Sequence, residues 1–327
     1  MKVAVLMGGS SFEREFSLAS GKQVCTALEL AGHKVVALDT TKELVPALQS
    51  EKPDVCYSAL HGKHGEDGTI QSLLEFLGIP FVGSPAAVCH KTWNKSLLPS
   101  VIAGYRAAVR DSSTASWPYG ICIARDAFKE MGAAFALDTI EARIPGGFPL
   151  AVKPACGGSA MGVHKVERAD QLGVAILDAL SYDSEVIIQQ WISGVEVAVS
   201  ILGDDWDAQA LPIVEIVPAS GMYLTEARLS TSAVRLISPI RGSSLSDNED
   251  DAHAIRSEIE DAALEVYRAY GARDLGRVDI IWDGTQARVL EIDVSPGMTP
   301  LSLFPAACNA AGISLPEVFD GLVSKYA

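Results

Sequence analysis

The sequence has little positive charge and no long apolar run. Its 26 lysine and arginine residues stand against 41 acidic residues, which gives a net charge of −15. Because nucleic acids and anionic membranes attract basic surfaces, this balance excludes both as partners. No stretch of about 18 apolar residues occurs, so we expect no membrane-spanning helix. The N-terminal apolar run is broken at Gly8, too early for a signal peptide.

Cysteine is also sparse, and its distribution excludes a disulfide framework or a zinc ribbon. The six cysteines are scattered, with no CxxC pair and no clustering with histidine. We therefore expect reduced, mostly buried thiols in a cytoplasmic protein. The charged fraction is only 20% and the hydrophobic fraction 48%, which is enough to fill the cores of two or three domains.

The first hundred residues alternate between predicted strands and helices. The apolar run Lys2–Met7 ends in Gly8-Gly9 and is followed by a helical pattern from Ser17. Further strands are predicted at 34–38 and 55–60, with helices at about 42–50 and 69–77. Strand, glycine turn and helix in this order predict a parallel sheet with ligand-binding groups at the carboxyl ends of its strands. From about residue 185 the chain becomes rich in strands, interrupted by one long amphipathic helix.

Four charged side chains near the C-terminus form the strongest constellation. Arg277 and Asp279 lie on one face of a predicted strand, and Glu291 and Asp293 lie on one face of the next. The register of this hairpin is open, but a suitable turn would place Asp279 opposite Glu291. Convergent carboxylates repel unless a cation lies among them, so hard oxygen ligands indicate Mg²⁺. The alternative is a surface hairpin with paired charges.

A second signal is the glycine-rich segment that follows Lys153-Pro154, with the sequence Gly157-Gly158-Ser159-Ala160-Met161-Gly162. Its glycines allow backbone N–H groups to face an anion, and the lysine supplies a point charge. The spacing does not match a P-loop. Alone it could be an ordinary hairpin turn, but together with a magnesium site it predicts a cradle for a nucleoside triphosphate.

The third signal is the segment from His61 to Gly68, at the end of a predicted strand. Its two histidines and two acidic residues could suggest zinc, but no third ligand motif occurs. A loop that lines a substrate site is the favoured interpretation.

These three groups, in this order, resemble the D-alanine–D-alanine ligase family within the ATP-grasp fold. The segment from Gly8 to Ser17 resembles the opening motif of the family, and the segment from His61 to Gln71 resembles its HG…GEDG…Q motif. Arg277-Val278-Asp279 and the segment from Glu291 to Thr299 resemble its C-terminal signature. The resemblance covers nearly the whole chain. It implies an α/β protein, α+β in its C-terminal half, with an N-terminal parallel-sheet domain.

The resemblance also implies domains and site residues. The domains are an N-terminal substrate-side domain (1–85), a central ATP-grasp subdomain (86–184) and a C-terminal catalytic domain (185–327). ATP contacts are implied for Lys91, Lys153, Gln189, Gln190, Trp191, Ile192, Glu196 and Arg228. Two Mg²⁺ ions, or Mn²⁺, are implied at Asp279, Glu291 and Asp293. Catalytic roles are implied for Glu13, Ser159, Arg277 and Gly297, and substrate contacts for His61, Glu66, Ser302 and Leu303.

Departures from the family pattern concentrate in the loop expected to close over the site. Arg228 stands where the family usually has lysine, and Leu229 where it has an aromatic residue or histidine. Because leucine cannot hydrogen-bond, the usual Glu–Ser–Tyr link is expected to be broken there. Elsewhere Ala160 replaces serine, His90 replaces aspartate and Asp293 replaces asparagine.

The function predicted by the resemblance is an ATP-dependent ligase that joins two small amino acids through an acyl phosphate, as a homodimer. The altered loop leaves open another amino acid, or closure of an amide ring in antibiotic biosynthesis. A nucleotide-binding regulator without catalysis is the alternative from another class, although it predicts missing metal ligands or a missing Arg277, and all are present. An ATP-grasp carboxylase or purine-pathway ligase is disfavoured by the HG…GEDG segment.

Overall fold

The computed structural model describes residues 1–40, 43–109, 115–131, 137, 139–140, 142–219 and 234–327. The predicted lid residues Arg228 and Leu229 therefore lie outside the described residues. Within the described parts, no helix combines the length and the apolar character needed to cross a membrane.

The N-terminal part forms the predicted parallel sheet, with the strand order β2-β1-β3-β4. Its central strand is buried on both faces, since Val3 to Leu6 have no exposed surface, and helices cover both sides. The strands are β1 (Lys2–Met7), β2 (Lys34–Asp39), β3 (Val55–Ser58) and β4 (Phe81–Val82). The helices are α1 (Arg14–Leu30), α2 (Leu44–Glu51) and α3 (Thr69–Leu77).

The middle sheet is antiparallel, with the order β5-β8-β6-β7. Its strands are β5 (Gly120–Ala124), β6 (Leu150–Pro154), β7 (His164–Val166) and β8 (Glu185–Gln190). The described helices beside this sheet include α6 (Arg125–Met131) and α7 (Ala169–Tyr182). Apolar residues of α7 such as Ile176 pack on Val152 and Ile188, so the opposite face of the sheet is left for a ligand.

The last sheet has the order β12-β11-β9-β13-β14, with β10 paired to β9. Its strands are β9 (Val195–Leu202), β10 (Gln209–Ala210), β11 (Val214–Pro218), β12 (Val234–Ile237), β13 (Leu275–Trp282) and β14 (Ala287–Asp293). The predicted long helix is α9 (Glu249–Tyr270), preceded by α8 (Gly242–Leu245). The side chain of Asn248 caps α9 by accepting N–H bonds from Asp250 and Asp251, and Gly271 ends it at a φ of 69°.

In two places, the sheet or core that an element joins does not follow from its position in the sequence. Strand β8 pairs with the middle sheet, although it follows residue 184. Helices α4 (Ala86–Trp93) and α5 (Leu98–Val109), which a short 3₁₀ helix (Lys95–Leu97) connects, share a core with the last sheet. Hydrophobic periodicity predicts that a helix or a strand forms, but it does not predict which sheet that helix or strand joins.

The C-terminal helices join the first and last sheets. Helices α10 (Leu303–Ala310) and α11 (Leu315–Ser324) contribute Phe304 and Phe319 to a core that also holds Val5 of β1 and Val214 of β11. This shared core holds the loop after β1 beside the β13–β14 hairpin, and the candidate site lies there. Elsewhere in the chain, another 3₁₀ helix spans Asp205–Asp207.

Candidate active site

A cavity of about 590 Å³ lies between the middle and last sheets. Six of the residues predicted to contact ATP line it: Lys153, Gln189, Gln190, Trp191, Ile192 and Glu196. Lys95, Lys165, Asp279 and Glu291 also line it. Lys91 is exposed on α4 and does not belong to this lining, so its role stays a prediction. The size and the lining suit a nucleotide.

One end of the cavity carries two lysines around one carboxylate: Lys153 is buried and Lys95 is partly buried. Burial lowers the pKa of Lys153 to about 8, against the attraction of Glu291. Lys95 Nζ lies 3.0 Å from Glu291 Oε2 and also bonds the carbonyl of Gly157. Burial by itself would raise the pKa of Glu291, but the two lysines hold it at about 2. This end of the cavity is therefore suited to phosphate groups.

Sequence reasoning missed Lys95, and the reason is a local break in the helix. Between α4 and α5 the helical segment is interrupted at Asn94, whose side chain accepts the N–H of Ser96. The interruption turns Lys95 inward, one helical turn after Lys91. Asparagine is a typical helix N-cap, so this residue was the available signal.

The glycine-rich loop turns the hydroxyl of Ser159 toward the N-terminal sheet. Ser159 and Ala160 both adopt left-handed backbone angles, with φ of 52° and 54°. In this conformation the Ser159 hydroxyl donates a hydrogen bond to Glu13 Oε1, and both side chains are buried. This hydrogen bond joins the opening motif to the glycine-rich loop.

The β13–β14 hairpin has the register that the sequence left open. Asp279 lies opposite Glu291 and Arg277 opposite Asp293, with a bulge after Asp279. Arg277 is only 4% exposed, and it donates to both oxygens of Asp279 at 2.7 and 2.9 Å. Its Nη1 lies 3.0 Å from Asp293 Oδ2. Burial opposes the charge on Arg277, but these carboxylates raise its pKa well above the usual value.

The three carboxylates have the oxygen chemistry that Mg²⁺ prefers, but each is paired with a cation in this structure. Arg277 bridges Asp279 and Asp293, and Lys95 holds Glu291. Among the described residues, no three acidic, histidine or cysteine side chains are close enough together to hold a metal ion. The hairpin thus brings the three carboxylates and the guanidinium of Arg277 together, and the role of the carboxylates as ligands for Mg²⁺ stays a prediction.

The substrate end of the site is built around Glu13 and His61, both of which are buried. His61 Nδ1 lies 3.3 Å from Glu66 Oε1, and its Nε2 lies 3.0 Å from Ser20 Oγ. Because an ionised carboxylate only accepts, Nδ1 carries the proton and Nε2 accepts from the serine hydroxyl. A small cavity of about 20 Å³ lies here; it is lined by Glu13, Phe16, His61, Glu66, Arg277, Asp293, Gly297, Leu301, Ser302 and Leu303.

Gly297 and Ser302 close the other side of this small cavity. A Cβ atom at Gly297 would lie 2.5 Å from Phe16 Cζ and 2.9 Å from Ser302 Oγ, so a larger residue here would displace these side chains. Ser302 is the N-cap residue of α10, and its Oγ accepts the N–H of Thr299 at 3.1 Å. Leu303 is the first residue of that helix and is buried. All of the predicted substrate contacts thus meet at one place.

A third small cavity joins the two ends of the site. It shares Lys95, Gly157, Gly158 and Glu291 with the nucleotide cavity, and Glu13, Glu66, Arg277 and Asp293 with the substrate end. The path from the phosphate end to Glu13 therefore runs past Arg277.

Comparisons with known proteins agree with this geometry. Residues 44–84 match the model of the D-ala D-ala ligase N-terminus, and residues 118–324 match that of the D-ala D-ala ligase C-terminus. A D-alanine–D-alanine ligase of Desulforudis audaxviator is 35% identical over 323 residues, which are 98% of this chain and 97% of the relative. One of Pelotomaculum thermopropionicum is 36% identical over 326 residues, 99% of this chain and 96% of the relative.

Solved structures of the same kind superpose over the whole chain. The D-alanine–D-alanine ligase of Bacillus anthracis complexed with ATP has a TM-score of 0.78 at 27% identity, covering 100% of this chain and 97% of that one. The VanG D-Ala:D-Ser ligase of Enterococcus faecalis also has a TM-score of 0.78, at 26% identity, covering 100% and 99%. With sequence, fold and site in agreement, this chain belongs to the D-alanine–D-alanine ligase family and has its ATP-grasp fold.

Proposed function

We propose that the protein joins two small amino acids into a dipeptide, with D-alanine as the first substrate to test, and converts ATP to ADP and phosphate. The relatives that match over nearly the full length are D-alanine–D-alanine ligases, and one solved structure of the fold is a D-Ala:D-Ser ligase. The observation that carries the proposal is the path from the phosphate end of the large cavity, past Arg277, to the carboxylate of Glu13.

The first step activates a carboxylate that is otherwise too unreactive toward an amine. The amino acid is held by its ammonium group at Glu13, which Ser159 orients. Its carboxylate oxygen attacks the terminal phosphorus of ATP, so that an acyl phosphate forms and ADP leaves. Lys95 and Lys153 lie where they would neutralise the phosphates during this transfer.

The second step forms the amide bond. The amino group of the second amino acid, after losing a proton, attacks the acyl carbon, and the tetrahedral intermediate expels inorganic phosphate. Arg277 and the backbone N–H of Gly297 would stabilise the oxyanion, and removal of one such donor typically costs about 10²–10³ in rate. Ser302 and Leu303, at the N-terminus of α10, would receive the carboxylate of the second amino acid.

The three carboxylates of the hairpin are the candidate ligands for magnesium. Asp279 and Glu291 line the nucleotide cavity, and Asp293 lies opposite Arg277 in the neighbouring strand. Bound there, Mg²⁺ or Mn²⁺ would offset negative charge on the phosphates. Lys95 is then available to hold phosphate instead of Glu291.

The remaining roles follow the resemblance. Gln189, Gln190, Trp191 and Ile192 would border the adenine, and Glu196 the ribose; all five line the cavity. His61 and Glu66 would shape the substrate end. The roles of Lys91 and Arg228, the homodimer and the cytoplasmic location remain predictions from the sequence.

Phosphate release against a panel of D- and L-amino acids, alone and in pairs, tests the proposal. We expect ADP and phosphate in a one-to-one ratio with the dipeptide, and no phosphate without an amino acid. The matched control is Glu15→Gln, on the exposed side of α1, which should leave turnover unchanged. ATP binding without ADP formation over the whole panel would instead identify the protein as a nucleotide-binding regulator.

A further inference from the structure

Formation of the amide bond needs a proton acceptor close to the acyl carbon. The amino group of a free amino acid is largely protonated at neutral pH, and only its neutral form has the lone pair that attacks carbon. Such an acceptor must line the space between Arg277, which would stabilise the oxyanion, and Ser302, which would receive the carboxylate of the second amino acid. Glu66 lines this space and also lines the small cavity that leads to the phosphate end.

The loop between β3 and α3 holds the backbone of Glu66 in place. The N–H of Glu66 donates to the carbonyl of Gly62 at 3.0 Å, and the buried side chain of Gln71 donates to the carbonyl of Gly65 at 2.9 Å. A Cβ atom at Gly65 would lie 2.6 Å from Leu60 Cβ, so the loop packs directly against the segment that follows β3. The position of the Glu66 side chain is therefore set by a tightly bonded turn.

The carboxylate of Glu66 lies between His61 and the glycine-rich loop. Its Oε1 accepts the Nδ1–H of His61 at 3.3 Å. A Cβ atom built on Gly158 would lie 3.5 Å from Glu66 Oε2 and 3.1 Å from Glu13 Oε2. Two carboxylates thus flank the same point of the glycine-rich loop. Two amino acids bring two ammonium groups to this place, and Glu13 accounts for one of them.

The other titratable side chains that line the two small cavities have different partners. They are Glu13, His61, Lys95, Arg277, Glu291 and Asp293. The two cations hold the two carboxylates of the hairpin in ion pairs. Both nitrogen atoms of His61 are engaged, because Nδ1 donates to Glu66 and Nε2 accepts from the hydroxyl of Ser20. Glu66 is therefore the remaining proton acceptor among the described residues of this lining.

We propose that Glu66 is the general base that takes a proton from the ammonium group of the second amino acid. This inference rests on the proposed function, because it names the proton acceptor of the same reaction. The proton moves from nitrogen to Glu66 Oε2, while His61 keeps its hydrogen bond to Oε1. The neutral nitrogen then bonds to the acyl carbon, and the bond from that carbon to the phosphate oxygen breaks. A second proton of the nitrogen leaves with the phosphate, the third stays on the amide, and Glu66 returns its proton to water.

The test compares Glu66→Gln with the wild type on two attacking amines. The amide oxygen of glutamine can still accept the Nδ1–H of His61, so the variant loses the proton acceptor and keeps the loop. A positioned general base typically contributes about 10²–10⁴ in rate, and we expect kcat for dipeptide formation from D-alanine to fall by this factor. Hydroxylamine is uncharged at neutral pH and attacks without first losing a proton. Hydroxamate formation from D-alanine and ATP in excess hydroxylamine should therefore be nearly unchanged.

Two further variants and one further measurement complete the experiment. Glu66→Asp keeps a carboxylate with a shorter reach and should recover part of the dipeptide rate. Glu29→Gln, on the exposed side of α1, is the matched control and should change neither product. Scrambling of an isotope label from the oxygen that bridges the β and γ phosphates of ATP measures the first step without either amine. Circular dichroism and ADP affinity establish that the variants are folded.

An equal loss of dipeptide and hydroxamate in Glu66→Gln, or a loss of label scrambling, would overturn the proposal, because Glu66 would then act in the first step. Dipeptide formation by Glu66→Gln within about tenfold of the wild type would also overturn it, since a general base contributes more than this. If the wild type releases no phosphate with any amino acid, the proposed function fails, and the role of Glu66 fails with it. Turnover by the wild type together with an unaffected variant would refute the role of Glu66 alone.

Discussion

The nucleotide cavity and the substrate end of the site are built in different ways. The former, at about 590 Å³, is lined largely by side chains of two antiparallel sheets and the turns between their strands. The latter, at about 20 Å³, is assembled from the loop after β1, the segment around His61 and the start of α10. Cofactor binding thus depends on regular structure, whereas substrate choice depends on loops positioned by a shared core. Changes at one end should therefore leave the other end largely intact.

Arg277→Met is expected to have the largest effect, because Arg277 lies where the two ends meet. Loss of an oxyanion donor should lower dipeptide formation by about 10²–10³. The free energy of unfolding should fall by about 1–3 kcal/mol, since Asp279 and Asp293 lose their partner while keeping some contact with water. Phosphate release and urea unfolding measure the two effects.

The matched control for this change is Arg168→Met, whose guanidinium pairs with Asp170 on the surface. Arg168→Met should change neither the rate of dipeptide formation nor the free energy of unfolding. Turnover of Arg277→Met within tenfold of the wild type would contradict the proposed role of Arg277.

Glu13→Gln should weaken binding at the substrate end of the site without changing binding in the nucleotide cavity. The amide retains a hydrogen bond to Ser159 but loses the negative charge that binds the ammonium group. We expect kcat/KM for the first amino acid to fall by about 10- to 100-fold, the usual range for a lost charge-assisted hydrogen bond, while ADP affinity stays the same. Initial-rate kinetics and calorimetry measure these quantities. A parallel loss of ADP affinity would show that the two ends are not independent.

The pKa of Lys153 gives a test confined to the nucleotide end. Because burial lowers this pKa to about 8, the lysine of the nucleotide-free protein loses its positive charge as the pH rises through that value. Protonated lysine attracts phosphate, so ADP affinity should be full below about pH 8 and should fall by up to about tenfold per pH unit above it. Calorimetry between about pH 7 and about pH 10 measures the slope.

Lys153→Arg provides the control, because a guanidinium remains protonated over this range. Its ADP affinity should show a flatter profile. An equally steep profile in the variant would assign the pH dependence to another group.

The same comparison shows what could be predicted from the sequence. Strand alternation predicted that Arg277 and Asp279 share a face, as do Glu291 and Asp293, whereas the residues of the nucleotide cavity were implied by the resemblance to the family. Helix α3 was predicted with the observed bounds, 69–77. The strand β12 and the short helix α6 were missed, since four to seven residues carry too little periodicity. The partners of β8 could not be predicted, because sheet membership is a long-range property.

At the substrate end, motifs in the sequence predict Glu13, His61 and Ser302, and the structure brings these residues to one small cavity. The cation pairs of the hairpin and the position of the Phe16 ring depend on contacts between distant segments, which motifs do not predict. Lys95 was missed because its direction depends on one cap, at Asn94. Short-range sequence patterns identify the residues that a reaction needs, whereas tertiary packing determines the direction of their side chains.

Tyr326→Phe should have the smallest effect, because it lies outside both ends of the site. Its hydroxyl donates to the buried carboxylate of Asp274 at 2.5 Å, and that carboxylate also accepts the N–H of Gly83 at 2.7 Å and contacts Lys325. Removal of one of these partners should lower the free energy of unfolding by about 0.5–1.5 kcal/mol. Urea unfolding measures it, with the exposed Tyr119→Phe as the control that should change nothing. Dipeptide formation and ADP affinity should remain at wild-type values, whereas a kinetic loss would mean that the junction between the first and last sheets also controls the geometry at Arg277.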